Sequence, residues 1–309
     1  MLRETSLTVA HLVAPLFITD GVGVTQPIES MPGINRVSVD RVVQVAQELV
    51  ELGIKSVILF GVPDPARKDP SGKESYSAAG AVQRAIQAIK KSGSPLVIVT
   101  DVCMCEYTSH GHCGILDKHH FLQNDETIQS LQEIAVSHAE AGADIVAPSG
   151  MIDGAVGAIR DVLDVAGHQR VGIMAYAVKY ASAFYGPFRD AAGGAPSFGD
   201  RRTHQLDPAN RGVALREAQL DVDEGADFLM VKPALAYLDI VSAVHEAHPG
   251  VPLVAYNVSG EYAMVKAAAA AGWIDEREIV IESLTSMRRA GADLVITYHA
   301  ADAARWLKA

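Results

Sequence analysis

The chain of 309 residues carries 26 Lys and Arg against 37 Asp and Glu, so its formal net charge is −11. Hydrophobic residues make up 49% and charged residues 20%, a mixture that can fill the core of one large domain. An acidic chain without a basic run does not favour nucleic acid as a partner, because phosphate binding needs clustered Lys and Arg. No apolar run reaches the roughly 20 residues of a membrane-spanning helix. Three cysteines indicate a reducing, cytoplasmic location and exclude a disulfide scaffold.

Four copies of one short pattern organise the chain. In each copy a helical segment ends at a glycine, a short step follows, and an apolar strand begins; the glycines are Gly53, Gly142, Gly225 and Gly291. Glycine adopts the left-handed backbone conformation that closes a helix. The repetition therefore predicts helices that alternate with strands.

Eight apolar strands are predicted in chain order, at 12–18, 56–60, 96–100, 145–147, 171–175, 228–231, 253–256 and 294–297. They are uniformly apolar, as expected for parallel strands buried on both faces. Helical patterns lie between most of them, for example at 39–52, 125–141 and 210–224. Eight such units predict a single (β/α)8 TIM barrel over residues 1–309. A doubly wound open sheet is the competing interpretation, but the chain lacks the glycine-rich dinucleotide fingerprint of that fold.

Two connections are longer than the rest, 63–75 and 176–206. Loops of such length in one domain usually act as lids or binding loops. Both follow strands, so in a barrel both lie on the C-terminal face, where active sites of this fold are found. We therefore predict that residues 176–206 form a lid.

The first candidate site is a cysteine cluster. Cys103, Cys105 and Cys113 lie within eleven residues, directly after the third predicted strand. Three thiolates are a soft ligand set that suits zinc, and they leave a fourth coordination position open, as in a reactive site. The alternative is a set of reduced, buried cysteines or a Cys103–Cys105 disulfide.

Two lysines form the second candidate site. Lys179 follows the fifth predicted strand and Lys232 ends the sixth. Burial at a strand end and a second lysine nearby both lower the pKa of an amine. A neutral amine condenses with a ketone to form a Schiff base. A lysine that reaches into solvent is the alternative for either residue taken alone.

Two further groups are candidate carboxylate ligands, because guanidinium and hydroxyl groups both bind carboxylates. The long loop contributes Arg189, Arg201 and Gln205, and strand ends contribute Ser149, Tyr256, Ser259 and Tyr298.

Taken together, these motifs resemble the 5-aminolevulinate dehydratase (porphobilinogen synthase) family over nearly the whole chain. The motifs are 101–114, 184–192, 198–202, 230–233 and 258–261. The resemblance implies a (β/α)8 barrel that condenses two 5-aminolevulinate molecules to porphobilinogen, with loss of two waters, for tetrapyrrole synthesis.

The resemblance also implies residue roles. Lys232 would hold the substrate that supplies the propionate arm, with Ser259 and Tyr298 on its carboxylate. Lys179 would hold the substrate that supplies the acetate arm, with Arg189, Arg201 and Gln205 on its carboxylate. The cysteines match the family's zinc-binding form, and Glu217 matches a position where many bacterial members hold an activating magnesium ion.

Members of the family are homo-oligomers and usually carry an N-terminal arm that wraps a neighbouring subunit. This chain begins almost at its first barrel strand, so we expect the arm to be nearly absent and the assembly to differ from the octamer that the arm helps to build. Two rival functions are a class I Schiff-base aldolase and a non-catalytic zinc-binding barrel. The aldolase leaves one lysine and the cysteines without a role, and the zinc-binding barrel leaves both lysines and the arginine loop unexplained.

Overall fold

Eight parallel strands close into a barrel in the computed structural model, which describes residues 2–308. In chain order the strands are Leu12–Thr19 (β1), Thr25–Pro27 (β2), Asn35–Ser38 (β3), Ser56–Val62 (β4), Val97–Val102 (β5), Ile145–Pro148 (β6), Gly172–Lys179 (β7), Phe228–Lys232 (β8), Leu253–Asn257 (β9) and Leu294–Thr297 (β10). The helices are Val39–Glu51 (α1), Ala81–Lys91 (α2), Asn124–Ala141 (α3), Ala155–Val165 (α4), Gly186–Ala192 (α5), Gly212–Asp223 (α6), Leu238–Ala247 (α7), Ser259–Ala270 (α8), Glu276–Arg289 (α9) and Ala300–Lys308 (α10).

Eight of the strands, β1 and β4 to β10, form the barrel. Each pairs with the next barrel strand along the chain, and β10 pairs with β1 to close the barrel. Leu12 is the register partner of Val295, and Val13 that of Ile296. The predicted TIM barrel is confirmed, and the open sheet is excluded by this closing pair.

The predicted helix-to-strand turns are confirmed at their glycines. Gly53, Gly142, Gly225 and Gly291 have φ angles of 84°, 104°, 98° and 112°. A residue with a side chain is strained at such angles, whereas glycine is not. Each glycine thus closes a helix, and the next strand begins three residues later.

Two local structures were not predicted. The short strands β2 and β3 form an antiparallel ribbon beside β1, where we expected only a connection. The fifth predicted strand continues from 175 to Lys179, and the long loop contains a 3-10 turn, Ala183–Tyr185, followed by α5. Much of the predicted lid is therefore ordered by its own hydrogen bonds.

Two apolar layers form the core. Side chains between the barrel and its helices make the larger layer. Inside the barrel lies the smaller layer, which includes Val13, Met174 and Met230 and ends at the C-terminal face in aromatic rings. The C-terminal end of the barrel is thus lined by Phe17, Phe60, Tyr176, Tyr256 and Tyr298. No helix among residues 2–308 has both the length and the apolar character needed to cross a membrane.

Candidate active site

The two predicted lysines lie side by side at the mouth of the barrel. Lys179 ends β7 and Lys232 ends β8, and the two residues are direct register partners. Their exposed fractions are only 6% and 5%. An irregularity in the pairing between Ala175 and Val178 adds one residue to β7 relative to β8. This extra residue turns Lys179 to the barrel interior, since side chains of a regular strand alternate.

Lys232 is enclosed by aromatic rings. Its Nζ lies 4.2 Å from the ring centre of Tyr256, 5.0 Å from Tyr176, 5.1 Å from Phe188 and 5.3 Å from Tyr185. These rings exclude water. Desolvation, followed by the positive charge of Lys179, lowers the pKa of Lys232 to about 7. A large fraction of this amine is therefore neutral and nucleophilic at neutral pH.

Lys179 has a different environment. Its Nζ donates a hydrogen bond to the backbone carbonyl of Ser149, at the end of β6, and lies 5.3 Å from the ring centre of Tyr176. The hydrogen bond ties the amine to the end of β6, the strand that pairs with β7 on the side away from β8. Both amines line one enclosed cavity, which also contains Asp101, Cys105 and Glu106.

The three cysteines form one buried cluster. Cys103, Cys105 and Cys113 have sulfur atoms that all lie within 4.8 Å of one another, and the first two sulfurs are 3.3 Å apart. Hydrogen bonds from Cys105 and Cys113 hold the pKa of Cys103 well below its usual value. The same hydrogen bonds raise the pKa of Cys105, and that of Cys113 to about 12. Three buried thiol groups at this separation fit a soft metal ion, which would hold them as thiolates.

Two carboxyl groups between the cysteines and the lysines were missed as functional residues. Burial is the main cause that raises the pKa values of Asp101 and Glu106. The second cause is the charge of Glu106 in the case of Asp101, and the charge of Cys103 in the case of Glu106. Both lie inside the sequence motif 101–114, and Asp101 directly follows an apolar strand segment. A carboxyl group at the end of a predicted barrel strand was the sequence feature that could have identified Asp101.

Arg201 and Arg189 approach the cavity from the long loop. Arg201 donates from Nη2 to the carbonyls of Gly111 and Gly194, and its buried Nε has no hydrogen-bond partner. Burial opposes its charge, but the cysteines and Glu106 outweigh that effect and raise its pKa. Arg189 lines the same cavity, and its buried Nε is also unpartnered. Each guanidinium therefore retains a donor for a ligand.

The predicted hydroxyl ligands lie around this cavity at different depths. Tyr256 and Tyr298 share a hydrogen bond of 3.1 Å between their hydroxyls, beneath Lys232. Ser259 Oγ accepts from the Phe188 amide at 2.9 Å and so links α8 to α5. Ser149 lines the cavity. Gln205 instead lines a larger outer cleft, so the structure does not bring its side chain to the two lysines.

Glu217 lies on α6, away from the lysines, in a group of acidic side chains. Desolvation and the charge of Asp153 raise its pKa. Desolvation, Glu224 and Glu217 raise the pKa of Asp221 to about 7. A bound cation would relieve the electrostatic repulsion between these carboxylates.

The cavity between the lysines measures about 20 Å³, which is room for about one water molecule. Its walls include Phe188, Arg189 and Arg201, which the segment 176–206 supplies. A ligand larger than water can enter only if this segment moves.

Comparison with known proteins points to one family. The family model for delta-aminolevulinic acid dehydratase matches residues 1–306. The enzyme of that name from Bacillus subtilis is 56% identical, with 99% of this chain and 94% of the relative covered. The one from Synechococcus elongatus is 55% identical, again over 99% of this chain and 94% of the relative.

Comparison with solved structures points to the same family. The delta-aminolevulinic acid dehydratase (porphobilinogen synthase) of Toxoplasma gondii, in complex with its reaction product porphobilinogen, superposes with a TM-score of 0.97 at 45% identity. The match covers 99% of this chain and 87% of that one. A dihydropteroate synthase of Xanthomonas albilineans, at 13% identity and a TM-score of 0.52, shares the fold alone.

Proposed function

The chain belongs to the delta-aminolevulinic acid dehydratase family, and on that premise we propose which of its residues carry out the reaction. The protein is a hydro-lyase that condenses two molecules of 5-aminolevulinate to porphobilinogen with loss of two waters. Lys179 and Lys232 are the residues that bind the two ketones. The observation that carries this proposal is their position as register partners in one enclosed cavity.

Each lysine forms a Schiff base, and each Schiff base releases one of the two waters. Lys232, with its pKa of about 7, takes the substrate that supplies the propionate arm. Lys179 takes the substrate that supplies the acetate arm. The amines are released again as the C–C and C–N bonds of the product form.

The imines make the neighbouring carbons acidic, and a nearby base must accept the proton. Asp101 and Glu106 line the cavity of the amines, and burial raises the pKa of each carboxyl group, so that each binds a proton more readily than a carboxyl in water. We assign them this task together, since both touch the same cavity. The closed segment 176–206 excludes the water that would hydrolyse the imines.

Arg189 and Arg201 receive the carboxylate of the substrate on Lys179 through their unpartnered guanidinium nitrogens. Gln205 joins them, which requires its side chain to move inwards from the outer cleft. Ser259 and Tyr298 bind the carboxylate of the substrate on Lys232, with Tyr256 holding the Tyr298 hydroxyl. Ser149 orients Lys179 through its carbonyl.

Cys103, Cys105 and Cys113 hold a metal ion that we propose to be zinc, because three buried thiols suit a soft cation. When bound, it supplies a weak Lewis acid that orients the amine or carbonyl of the second substrate. The exchange of one cysteine for serine should abolish tight zinc binding, measured by metal analysis, without unfolding the barrel.

Glu217 binds a magnesium ion outside the active site, supported by the acidic neighbours Asp153 and Asp221. We further propose a homo-oligomer in the cytoplasm. The support is the 81% exposed side chain of Trp273, which a subunit interface would cover, and the need for three reduced thiols. Light scattering on the purified protein tests the assembly.

Borohydride reduction in the presence of 5-aminolevulinate tests the central proposal. We expect peptide mass spectrometry to find substrate-derived adducts on both Lys179 and Lys232, and porphobilinogen to form in the unreduced control. Adducts on one lysine alone would favour single Schiff-base chemistry of the aldolase kind. Product without an adduct on either lysine would contradict the assignment.

A further inference from the structure

Two cationic side chains, those of Arg36 and Lys68, donate hydrogen bonds to the end of α5, the helix that covers the active site. Helix α5 ends at Ala192 and is followed by Gly193, whose φ of 61° is left-handed. Arg36 donates from Nε to the Ala191 carbonyl at 2.7 Å and from Nη2 to the Asp190 carbonyl. Lys68 Nζ donates to the Gly193 carbonyl at 2.6 Å. Three carbonyl groups at the helix end, those of Asp190, Ala191 and Gly193, thus accept hydrogen bonds from positively charged groups.

Neither cation belongs to the segment 176–206 that it contacts. Arg36 lies on β3, where it is the register partner of Phe17 on β1, and its Nη1 donates to Gln26 on the neighbouring β2. Lys68 lies in the connection after β4 and is partly buried. Among the carboxylates of residues 2–308, none lies within 4.0 Å of either cation. Both cations therefore donate to the helix end instead of to a carboxylate. Burial lowers the pKa of Lys68, an effect that the charges of Glu106 and Cys105 partly oppose.

On its other side α5 faces the reacting groups. Phe188 and Arg189 line the cavity of the lysines, and the Phe188 amide donates to Ser259 Oγ at 2.9 Å. The chain after the helix lies against the cysteine segment, since a Cβ on Gly194 would be 3.2 Å from the Cys105 carbonyl. A displacement of α5 would move all of these contacts.

We propose that Arg36 and Lys68 form a cationic clasp that holds α5 over the cavity, and that these two positioning residues set the affinity for 5-aminolevulinate. Neither side chain lines the cavity, and both donate hydrogen bonds to the end of α5. The proposal rests on the proposed role of 176–206 as a lid.

The size of the cavity explains why affinity is the quantity affected. A space of about 20 Å³ admits no keto acid, so substrate binds when α5 is displaced and is retained when α5 returns. The clasp contacts exist only with α5 in place. They therefore stabilise the closed state relative to the open one, and only such a difference changes apparent affinity.

Arg36→Gln and Lys68→Gln test the clasp, with Arg41→Gln and Lys73→Gln as matched controls on exposed residues nearby. For Arg36→Gln we expect KM for 5-aminolevulinate to rise about tenfold and kcat to stay within about threefold, because charged hydrogen bonds to the lid are lost. Lys68→Gln should raise KM by about threefold, since it removes one bond instead of two. Arg36→Lys should lie between wild type and Arg36→Gln.

Hydrogen exchange of the substrate-free protein provides a readout that does not depend on turnover. Amides of residues 188–197 should exchange faster in both clasp variants, while the barrel strands and the thermal unfolding midpoint stay as in the controls. Unchanged exchange in this segment would overturn the clasp even if the enzyme were active. Faster exchange throughout the protein, or a fall in kcat at constant KM, would also overturn it, because both indicate a different role.

Discussion

Strands β7 and β8 each end in a reactive lysine, but they bring it into the barrel differently. In β8 the alternation is regular: Met230 points into the barrel, and Lys232, two residues later, points the same way. In β7 Tyr176 points inwards, so regular alternation would direct Val178 inwards and Lys179 outwards. One extra residue before Val178 reverses this order.

The difference shows that two identical side chains can be directed into the barrel by two kinds of strand structure. Lys232 follows from the two-residue period of a strand, whereas Lys179 depends on a local irregularity in the ladder. The surroundings of the two amines also differ. Lys232 is enclosed by rings that lower its pKa, while Lys179 is held by a carbonyl.

The largest effect is expected from removing the amine on the regular strand. Lys232→Met should lower kcat by at least about a thousandfold, because the nucleophile for one ketone is lost. Porphobilinogen formation measures the loss, and circular dichroism checks that the barrel remains folded. Lys90→Met, on the outer helix α2, is the control. Turnover close to that of the control would rule out a Schiff base on Lys232.

Deletion of Ala177 makes β7 as regular as β8. Lys179 should then still point into the barrel, because it lies four residues after Met174, as Lys232 lies four residues after Phe228. Borohydride should therefore label both lysines, and turnover should fall by less than about tenfold. The replacement Ala177→Gly keeps the chain length and should retain both labels. Loss of the label on Lys179 in a folded deletion variant would show that strand alternation does not set the direction of its side chain.

The pH dependence separates the two environments. Because the neutral amine is the nucleophile and the pKa of Lys232 is about 7, kcat/KM should fall as the pH drops below about 7. In Lys179→Met the neighbouring positive charge is gone, which favours protonation and raises the pKa of Lys232. The midpoint for labelling Lys232 by substrate and borohydride should therefore move to higher pH. An unmoved midpoint would mean that the two amines do not interact.

The smallest effect is expected at the hydroxyl that joins the strand ends. Tyr185 donates to the carbonyls of Tyr180, at 2.8 Å, and Lys232, at 3.2 Å. Tyr185→Phe should lower the free energy of unfolding by about 1–2 kcal/mol, since the buried Tyr180 carbonyl loses this donor. Turnover should change by less than about threefold. Denaturant titration measures the stability, and a loss of activity comparable to Lys232→Met would contradict this structural role.

Much of the architecture could be predicted because it depends on local backbone chemistry. Gly53, Gly142, Gly225 and Gly291 mark helix ends that only a residue without a side chain adopts easily. The apolar segments between them have no solvent-facing side, which requires parallel strands covered by helices. Strand ends in such a barrel meet at one face, so the lysines and cysteines could be placed together before any coordinates were known.

The same reasoning reached only part of the active site. Asp101 and Glu106 were not predicted as functional residues, because a carboxyl after a strand is common until its burial beside two amines is seen. The role of Gln205 stays a prediction, since its side chain lies in the outer cleft. Helix α5 was expected as loop because its glycine and proline, Gly186 and Pro187, are typical of turns.

The amino-acid sequence contained the order of strands and helices, the residues at the barrel mouth and the family of the chain, since each depends on residue type and spacing along the chain. The tertiary structure was needed for the direction of Lys179, the pKa of Lys232 and the contacts of Arg36 and Lys68 with α5. Those features depend on strand register, on exclusion of water and on residues brought together from more than a hundred positions apart. No local pattern encodes such distances.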